Sequence, residues 1–306
     1  MEQGIKNQPA NDPPEGYQSF AHNGSFGDCI GPFYFRPEAT GGFRYVFRSA
    51  GVHANPNGVT HGGALYSFAD HITGHAVVHT TKRLCATIKF KVEYLAPAPL
   101  DSLIEGQVDL LRVTRTLVFL RVRLFAADRT LMTANGTYKL FAPYEPGQYG
   151  AAKPSPPPLD DIRPPVPGGF RPFPNQAAYA ELCGPTHYRR LDNGGFINGF
   201  QSRARHDNTN KVVHGGVIFT FADDFMGRAA SGVARRYATT VAMNVEYLSP
   251  GPLDAWIEGT AEISHLDDDL AFVRGRVFHA DRTLLTADGV WRLLQPYVKA
   301  EPEAAK

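Results

Sequence analysis

A histidine followed by two glycines occurs at His61-Gly62-Gly63 and again at His214-Gly215-Gly216. Six residues before each histidine is an asparagine, Asn55 or Asn208, and nine residues after it an aspartate, Asp70 or Asp223. Seventeen residues beyond each aspartate is a threonine, Thr87 or Thr240. These types suit hydrolysis at a carbonyl. A carboxylate attacks directly or activates water, while free N–H groups at a helix start stabilise charge developing on the carbonyl oxygen. Glycine lets a substrate approach the backbone closely, which makes Gly62 or Gly63, and Gly215 or Gly216, the candidate amide donors. A lone helical aspartate is usually structural, but this one recurs between apolar residues, where an unpaired carboxylate is costly. Thr87 and Thr240 read as holders of the aspartate or its water. Asn55 and Asn208 either touch substrate or form the turns they sit in. His61 and His214 read as hydrogen-bonding residues that orient the loop rather than as bases.

The elements that must position these residues also come twice. The 306-residue chain repeats at an offset of 153, and residues 61–106 match residues 214–259 at 21 of 46 positions without a gap. Agreement returns at 128–131 against 281–284 and reaches upstream to 14–17 against 167–170. Duplication and fusion is the simplest cause. The division is 1–150 and 175–306 for the two domains, with a proline-rich linker at 151–174, semi-rigid by composition. In the first half a short strand is expected at 43–49, then a helix starting at Gly62-Gly63 and ending before Lys82-Arg83. That helix carries Leu65, Phe68, Ala69, Ile72 and Ala76 at helical spacing. Strands follow at 86–95, 102–111, 116–125 and 130–141. One long helix with about five antiparallel strands is an α+β unit. Tyr66, Thr73 and Val77 on the other flank predict a helix buried nearly all round by a curled sheet. Gly74 and Gly227 inside the helices, each costing about 1 kcal/mol relative to alanine, predict close packing there.

Composition narrows the function classes. With 31 basic and 30 acidic residues, net charge +1 and no basic block, binding to a nucleic-acid backbone is not expected. No run of about 18 apolar residues and no cationic leader with an apolar core occurs, so no membrane association and a cytoplasmic location are expected. Cys29, Cys85 and Cys183 are unrelated by the repeat and read as free thiols. His71, His75 and His79 are spaced to share a helix face, but their counterparts are Asp224, Arg228 and Gly232. They read as an exposed face, not a metal site. No metal and no cofactor are expected.

With its asparagine, His-Gly-Gly, aspartate and strand pattern (Thr-Ile-Lys-Phe-Lys-Val-Glu-Tyr-Leu, then Thr-Val-Ala-Met-Asn-Val-Glu-Tyr-Leu), the sequence resembles tandem, or double, hotdog-fold acyl-CoA thioesterases of the PaaI-like superfamily. The resemblance spans most of both halves. It implies two hotdog domains, each an antiparallel sheet around a long central helix, packed as an intrachain pseudo-dimer that hydrolyses an acyl- or aroyl-CoA. It also implies crossed sites: Asn55, His61 and Gly62 with Asp223 and Thr240, and Asn208, His214 and Gly215 with Asp70 and Thr87. Nine helical residues rise about 13 Å, which favours the same crossing. Arg83 and Arg236 are candidates for coenzyme A phosphates, and Tyr66 and Phe219 for the acyl pocket. The turn between the third and fourth strands keeps Arg115 in the first half but has Asp267, Asp268 and Asp269 in the second, so the two sites need not be equivalent. Pairing of two chains into a pseudo-tetramer is expected. The alternatives are a noncatalytic acyl-CoA binder, or an enoyl-CoA hydratase or dehydratase using the adjacent Asp70 and His71.

Overall fold

The computed structural model describes residues 13–20, 24–39, 41–143, 165–174, 176–192 and 194–297. The proline-rich linker expected at 151–174 lies outside the described residues as far as 164. The first half runs β1 (Gln18–Ser19), α1 (Gly24–Ile30), β2 (Phe33–Pro37), β3 (Phe43–Arg48), α2 (Gly62–Thr81), β4 (Arg83–Tyr94), β5 (Leu103–Val113), β6 (Leu117–Ala126) and β7 (Arg129–Pro143). The second repeats it as β8 (Arg171–Pro172), α3 (Ala178–Leu182), β9 (His187–Arg190), β10 (Phe196–Gln201), α4 (Gly215–Ala234), β11 (Arg236–Tyr247), β12 (Trp256–Leu266), β13 (Leu270–His279) and β14 (Arg282–Pro296). Among the described residues each half thus has seven strands rather than five. The last part of the segment read as linker is strand β8, paired with β9.

All strands form one antiparallel sheet in the order β1-β2-β3-β5-β6-β7-β4-β11-β14-β13-β12-β10-β9-β8. The order is the same read from either edge, and its centre is the β4–β11 pair, where Lys91 faces its own repeat counterpart Asn244. A local two-fold axis therefore passes through this pair. Along β6, Val118, Leu120, Val122 and Leu124 are buried, the period of two that turns one face of a strand to the core. The sheet curls over the helix closely enough that a Cβ on Gly106 of β5 would collide with Ile72 of α2. As the mixed flanks of α2 predict, Leu65, Tyr66, Phe68, Ile72, Thr73, Ala76 and Val77 are all buried.

The two helices meet across the same axis. A Cβ on Gly63 would collide with Thr220, and one on Gly216 with Ser67, so the helices run in opposite directions and touch at their glycine ends. Between these contacts Tyr66 lies flat on Phe219, ring centres 3.6 Å apart and planes 5° apart. The intrachain pseudo-dimer has its core here. Gly227 packs against Trp291, but a Cβ on Gly74 would meet nothing within 4 Å; Gly74 borders a cleft instead. The three histidines of α2 also differ from expectation. Only His79 is exposed. His71 and His75 are covered by Phe20, Phe33 and Phe35 from the N-terminal strands, and Tyr45 hydrogen-bonds His75 Nδ1 at 3.0 Å.

Candidate active site

Each aspartate is fixed by its own half and faces the other. Asp70 is buried on α2. Thr87 on β4 donates to its Oδ1 at 2.6 Å, and the Tyr138 hydroxyl on β7 donates to the same oxygen at 2.9 Å. Thr73 in turn holds that hydroxyl at 2.6 Å. Oδ2 is turned across the interface, 3.1 Å from where a Cβ on Gly215 would sit. At the start of α4, His214 is the N-cap: its Nδ1 accepts from Gly216 N–H at 2.9 Å. Gly216 N–H is therefore spent, whereas Gly215 N–H has no protein acceptor among the described residues. Tyr247 donates to the Gly215 carbonyl at 2.8 Å and meets the Tyr66 hydroxyl at 2.9 Å, locking the glycine in place. These groups surround a first cleft of about 720 Å³ that Asp70, Thr87, Tyr138, Asn208, His214 and Gly215 all line. Burial pushes the pKa of His214 down, consistent with an imidazole whose Nδ1 must stay unprotonated to cap the helix. Burial also pushes His75 down to about 4 and His71 well below its usual range.

The second cleft repeats the frame with different neighbours. Asn55, His61, Gly62, Asp223 and Thr240 line it together, in a volume of about 1620 Å³. Thr240 donates to Asp223 Oδ1 at 2.7 Å, and His61 Nδ1 caps Gly63 N–H at 2.9 Å. Tyr94 donates to the Gly62 carbonyl at 2.8 Å. The repeat position of Tyr138 is Trp291, which brings no hydroxyl. Asp224 takes the place of His71 and receives His61 Nε2–H at 3.2 Å, with Arg228 Nη2 3.5 Å from its other oxygen. Both His61 nitrogens are thus committed. Burial raises Asp223 to about 6, with His61 pulling it down and Asp224 pushing it up. Desolvation acts on the half-buried Asp224 in the same sense, but the His61 hydrogen bond and the Arg228 charge more than offset it and lower its pKa.

Several residues expected at the site have other tasks. The N–H groups of Gly63 and Gly216 serve the histidine caps, leaving Gly62 and Gly215 as the amides at the helix starts. Asn55 Oδ1 accepts from Asn57 and Val59 N–H, and Asn208 Oδ1 from Asn210 and Val212; these are turn-forming bonds. Only the side-chain NH₂ remains to reach a ligand. Arg83 donates to the carbonyls of Phe141 and Arg115, and Arg236 to those of Leu294, Leu293 and Asp268. Arg83 ties the helix exit to the β5–β6 turn and Arg236 to the β12–β13 turn, and neither is held out for a phosphate. In the acidic turn, Asp267 accepts from the N–H groups of Asp269 and Leu270, and the acids line neither cleft. Tyr66 and Phe219 line neither cleft; they form the stacked centre of the interface.

Some contributors carry no clear sequence signal. Tyr138 lies in an ordinary alternating strand, and its counterpart differs, so the repeat hides it. Phe26 of α1 and Tyr179 of α3 are repeat counterparts that cross to the opposite half. Phe26 packs against the His214 ring at 5.2 Å and Tyr179 against His61 at 5.5 Å, the latter donating to Ser67 at 2.8 Å. Each N-terminal segment therefore braces the cap of the other half.

The comparisons with known proteins agree with this architecture. The thioesterase superfamily model matches twice, over residues 57–133 and 210–286, the two stretches that contain the helices and their following strands. A Pseudomonas aeruginosa protein named as a candidate esterase is 25% identical over 129 residues, covering 42% of this chain and 96% of its own length. Among solved structures, a hot dog fold protein of Alicyclobacillus acidocaldarius is similar with a TM-score of 0.63 at 14% identity, covering 89% of this chain and 99% of that one. The tesB protein of Mycobacterium avium subs paratuberculosis superposes with a TM-score of 0.58 at 16% identity over 84% and 95% of the two chains. No helix among the described residues is long and apolar enough to cross a membrane. The chain belongs to the thioesterase superfamily, as a thioester hydrolase built of two hotdog domains in tandem.

Proposed function

We propose that the protein hydrolyses acyl-CoA thioesters at two crossed sites, releasing the carboxylic acid and free coenzyme A. The observation that carries this is the pairing of Asp70, held by Thr87 and Tyr138, with the capped helix start at Gly215 in the other half. In this reading the thioester carbonyl sits against the N–H of Gly215 or Gly62, at the positive end of the helix dipole, which stabilises the oxyanion. Asp70 or Asp223 then either attacks the carbonyl carbon or takes a proton from the water that does. If water attacks, the C–S bond breaks and the proton taken by the aspartate passes to the leaving thiolate. If the aspartate attacks, the C–S bond breaks to leave an acyl–aspartyl anhydride, which water hydrolyses to the free acid, regenerating the carboxylate and giving the thiolate its proton. His61 has both nitrogens engaged, and burial makes His71 a poor base. That disfavours the hydratase alternative, which needs a histidine free to move a proton.

The test is release of coenzyme A thiol, trapped by a chromogenic disulfide, over a panel of acyl and aroyl thioesters. Wild type should turn over at least one class, and the double variant Asp70→Asn/Asp223→Asn should lose at least about 1000-fold in kcat/KM, about 4 kcal/mol of transition-state stabilisation. Undiminished turnover in a folded double variant would remove the aspartates from the mechanism. Tight acyl-CoA binding by the wild type with no turnover would favour the noncatalytic reading.

A further inference from the structure

The clefts share their reacting end but not the wall that α2 and α4 present beyond it. Five of the repeat positions that line both clefts carry the contrast: Phe20, Phe35, His71, His75 and His79 in the first, and Phe173, Tyr188, Asp224, Arg228 and Gly232 in the second. The first wall is aromatic rings and imidazoles, with His75 bound to Tyr45. The second carries a guanidinium and a carboxylate. Arg228 is five residues beyond Asp223, about 7.5 Å along the helix, so a short acyl group anchored at the thioester can reach it. Phe173 covers one face of the guanidinium, its ring centre 3.9 Å from Cζ. Nη2 faces Asp224, but Nη1 is buried and has no hydrogen-bond partner among the described residues. A buried donor without an acceptor is rare in folded proteins because it forfeits its hydration, and beside a cleft it is a place for a ligand's oxygen.

Charge decides what kind of oxygen. Asp224 already balances the single positive charge of Arg228, and Asp223 adds a negative charge next to it. A carboxylate placed against Arg228 would bring further negative charge that this guanidinium, already paired with Asp224, does not offset. A neutral acceptor avoids that cost. We infer that the second cleft selects thioesters whose acyl group carries an uncharged oxygen acceptor a few carbons beyond the carbonyl, a keto group above all, bound by Arg228 Nη1. The first cleft takes hydrocarbon acyl groups. This rests on the thioesterase reading above.

Three coenzyme A thioesters of equal chain length separate the possibilities: a plain acyl group, its keto analogue, and one ending in a carboxylate. Asp70→Asn leaves only the second cleft working and Asp223→Asn only the first. With Asp70→Asn the keto thioester should exceed the plain one by about tenfold or more in kcat/KM, and with Asp223→Asn the order should reverse. Adding Arg228→Met to Asp70→Asn should bring the keto-to-plain ratio close to one. Should that variant fail to fold, Asp224→His/Arg228→His, which installs the residues of the first half, should do the same. A ratio unmoved by either substitution, or a carboxylate-ended thioester preferred over the keto one, would overturn this inference alone. No thiol release from any of the three by either folded single-aspartate variant would overturn the thioesterase reading as well.

Discussion

The two clefts agree where the backbone dictates the geometry and part company where side chains are free to differ. In both, a histidine caps the helix, a tyrosine holds the first glycine carbonyl, and a threonine seventeen residues on holds the aspartate. Each of these contacts is set by the helix start and by the strand crossing it, so a change in one disturbs the others. The second hydrogen bond on Asp70, from Tyr138 of β7, has no counterpart in the other half, where Trp291 of β14 takes the repeat position, and this position varies without moving the helix. The first carboxylate is therefore surrounded by hydroxyls and neutral rings. The second is next to another carboxylate and a guanidinium, and its proton is held up to about 6. The two halves keep the same frame at the helix starts and differ in its surroundings.

The most severe test of the comparison removes the crossing. Expressed separately, each half exposes the unpaired edge of β4 or β11 and the helix face that meets its partner, and neither contains a complete site. As a monomer each should release no thiol from any thioester, and mixing the two should restore turnover. Activity from either half as a verified monomer would break the crossed arrangement. Next in size is a difference in pH response. With Asp70→Asn only Asp223 remains, and a protonated carboxyl neither attacks nor accepts a proton. Because the pKa of Asp223 is raised, the acidic limb of kcat/KM in this variant should lie near pH 6 rather than near 4, falling about tenfold per pH unit below it. A limb near 4 would mean that the buried charge is better solvated than the contacts of Asp223 indicate.

What could be read in advance follows the same division. The span of α2 and the four strands after it were legible within a few residues, because the apolar period switches from helical to alternating at Lys82-Arg83. The Asp70–Thr87 and Asp223–Thr240 pairs were legible because both occur twice at one spacing. Strand β8 was not, since Pro172 looks like linker; at the sheet edge its missing N–H leaves no ladder bond unmade. The histidines of α2 read as exposed because only contacts from distant strands cover them, and helical spacing says nothing about what packs on a face. Arg83 and Arg236 looked free for phosphate because their acceptors are backbone carbonyls, which no residue type reveals. Tyr66 and Phe219 were aromatic candidates for a pocket, and only the two-fold axis stacks them on each other.

The Tyr138 and Trp291 difference can be tested from both sides. In the Asp223→Asn background, Tyr138→Phe removes one hydrogen bond to a carboxylate, an interaction of about 1.5–3 kcal/mol when charge-assisted. If that bond positions Asp70 for reaction, kcat should fall about tenfold with little change in KM. The reverse change, Trp291→Tyr in the Asp70→Asn background, introduces a hydroxyl beside Asp223. A donor favours the charged carboxylate, so the acidic limb should move below pH 6. If neither substitution alters its profile, the Tyr138 bond is structural, and the divergence between the clefts lies in their walls alone.

The smallest effect is on stability, and its sign is specific. A carboxyl whose pKa rises on folding makes the folded state bind its proton more tightly than the unfolded chain does. Its contribution is therefore most favourable below the ordinary value of 3.8 and is lost as pH rises through about 6. Above that, wild type carries the cost of the buried Asp223 charge, and the gap between 3.8 and about 6 corresponds to roughly 3 kcal/mol. Asp223→Asn keeps the shape and removes the charge. It should unfold at higher urea than wild type at pH 8, by up to that amount, with the advantage shrinking to nothing near pH 4. A variant less stable than wild type at pH 8 would mean that the His61, Thr240 and Arg228 contacts more than compensate the buried charge, and that the second cleft is built to hold an ion rather than burdened by one.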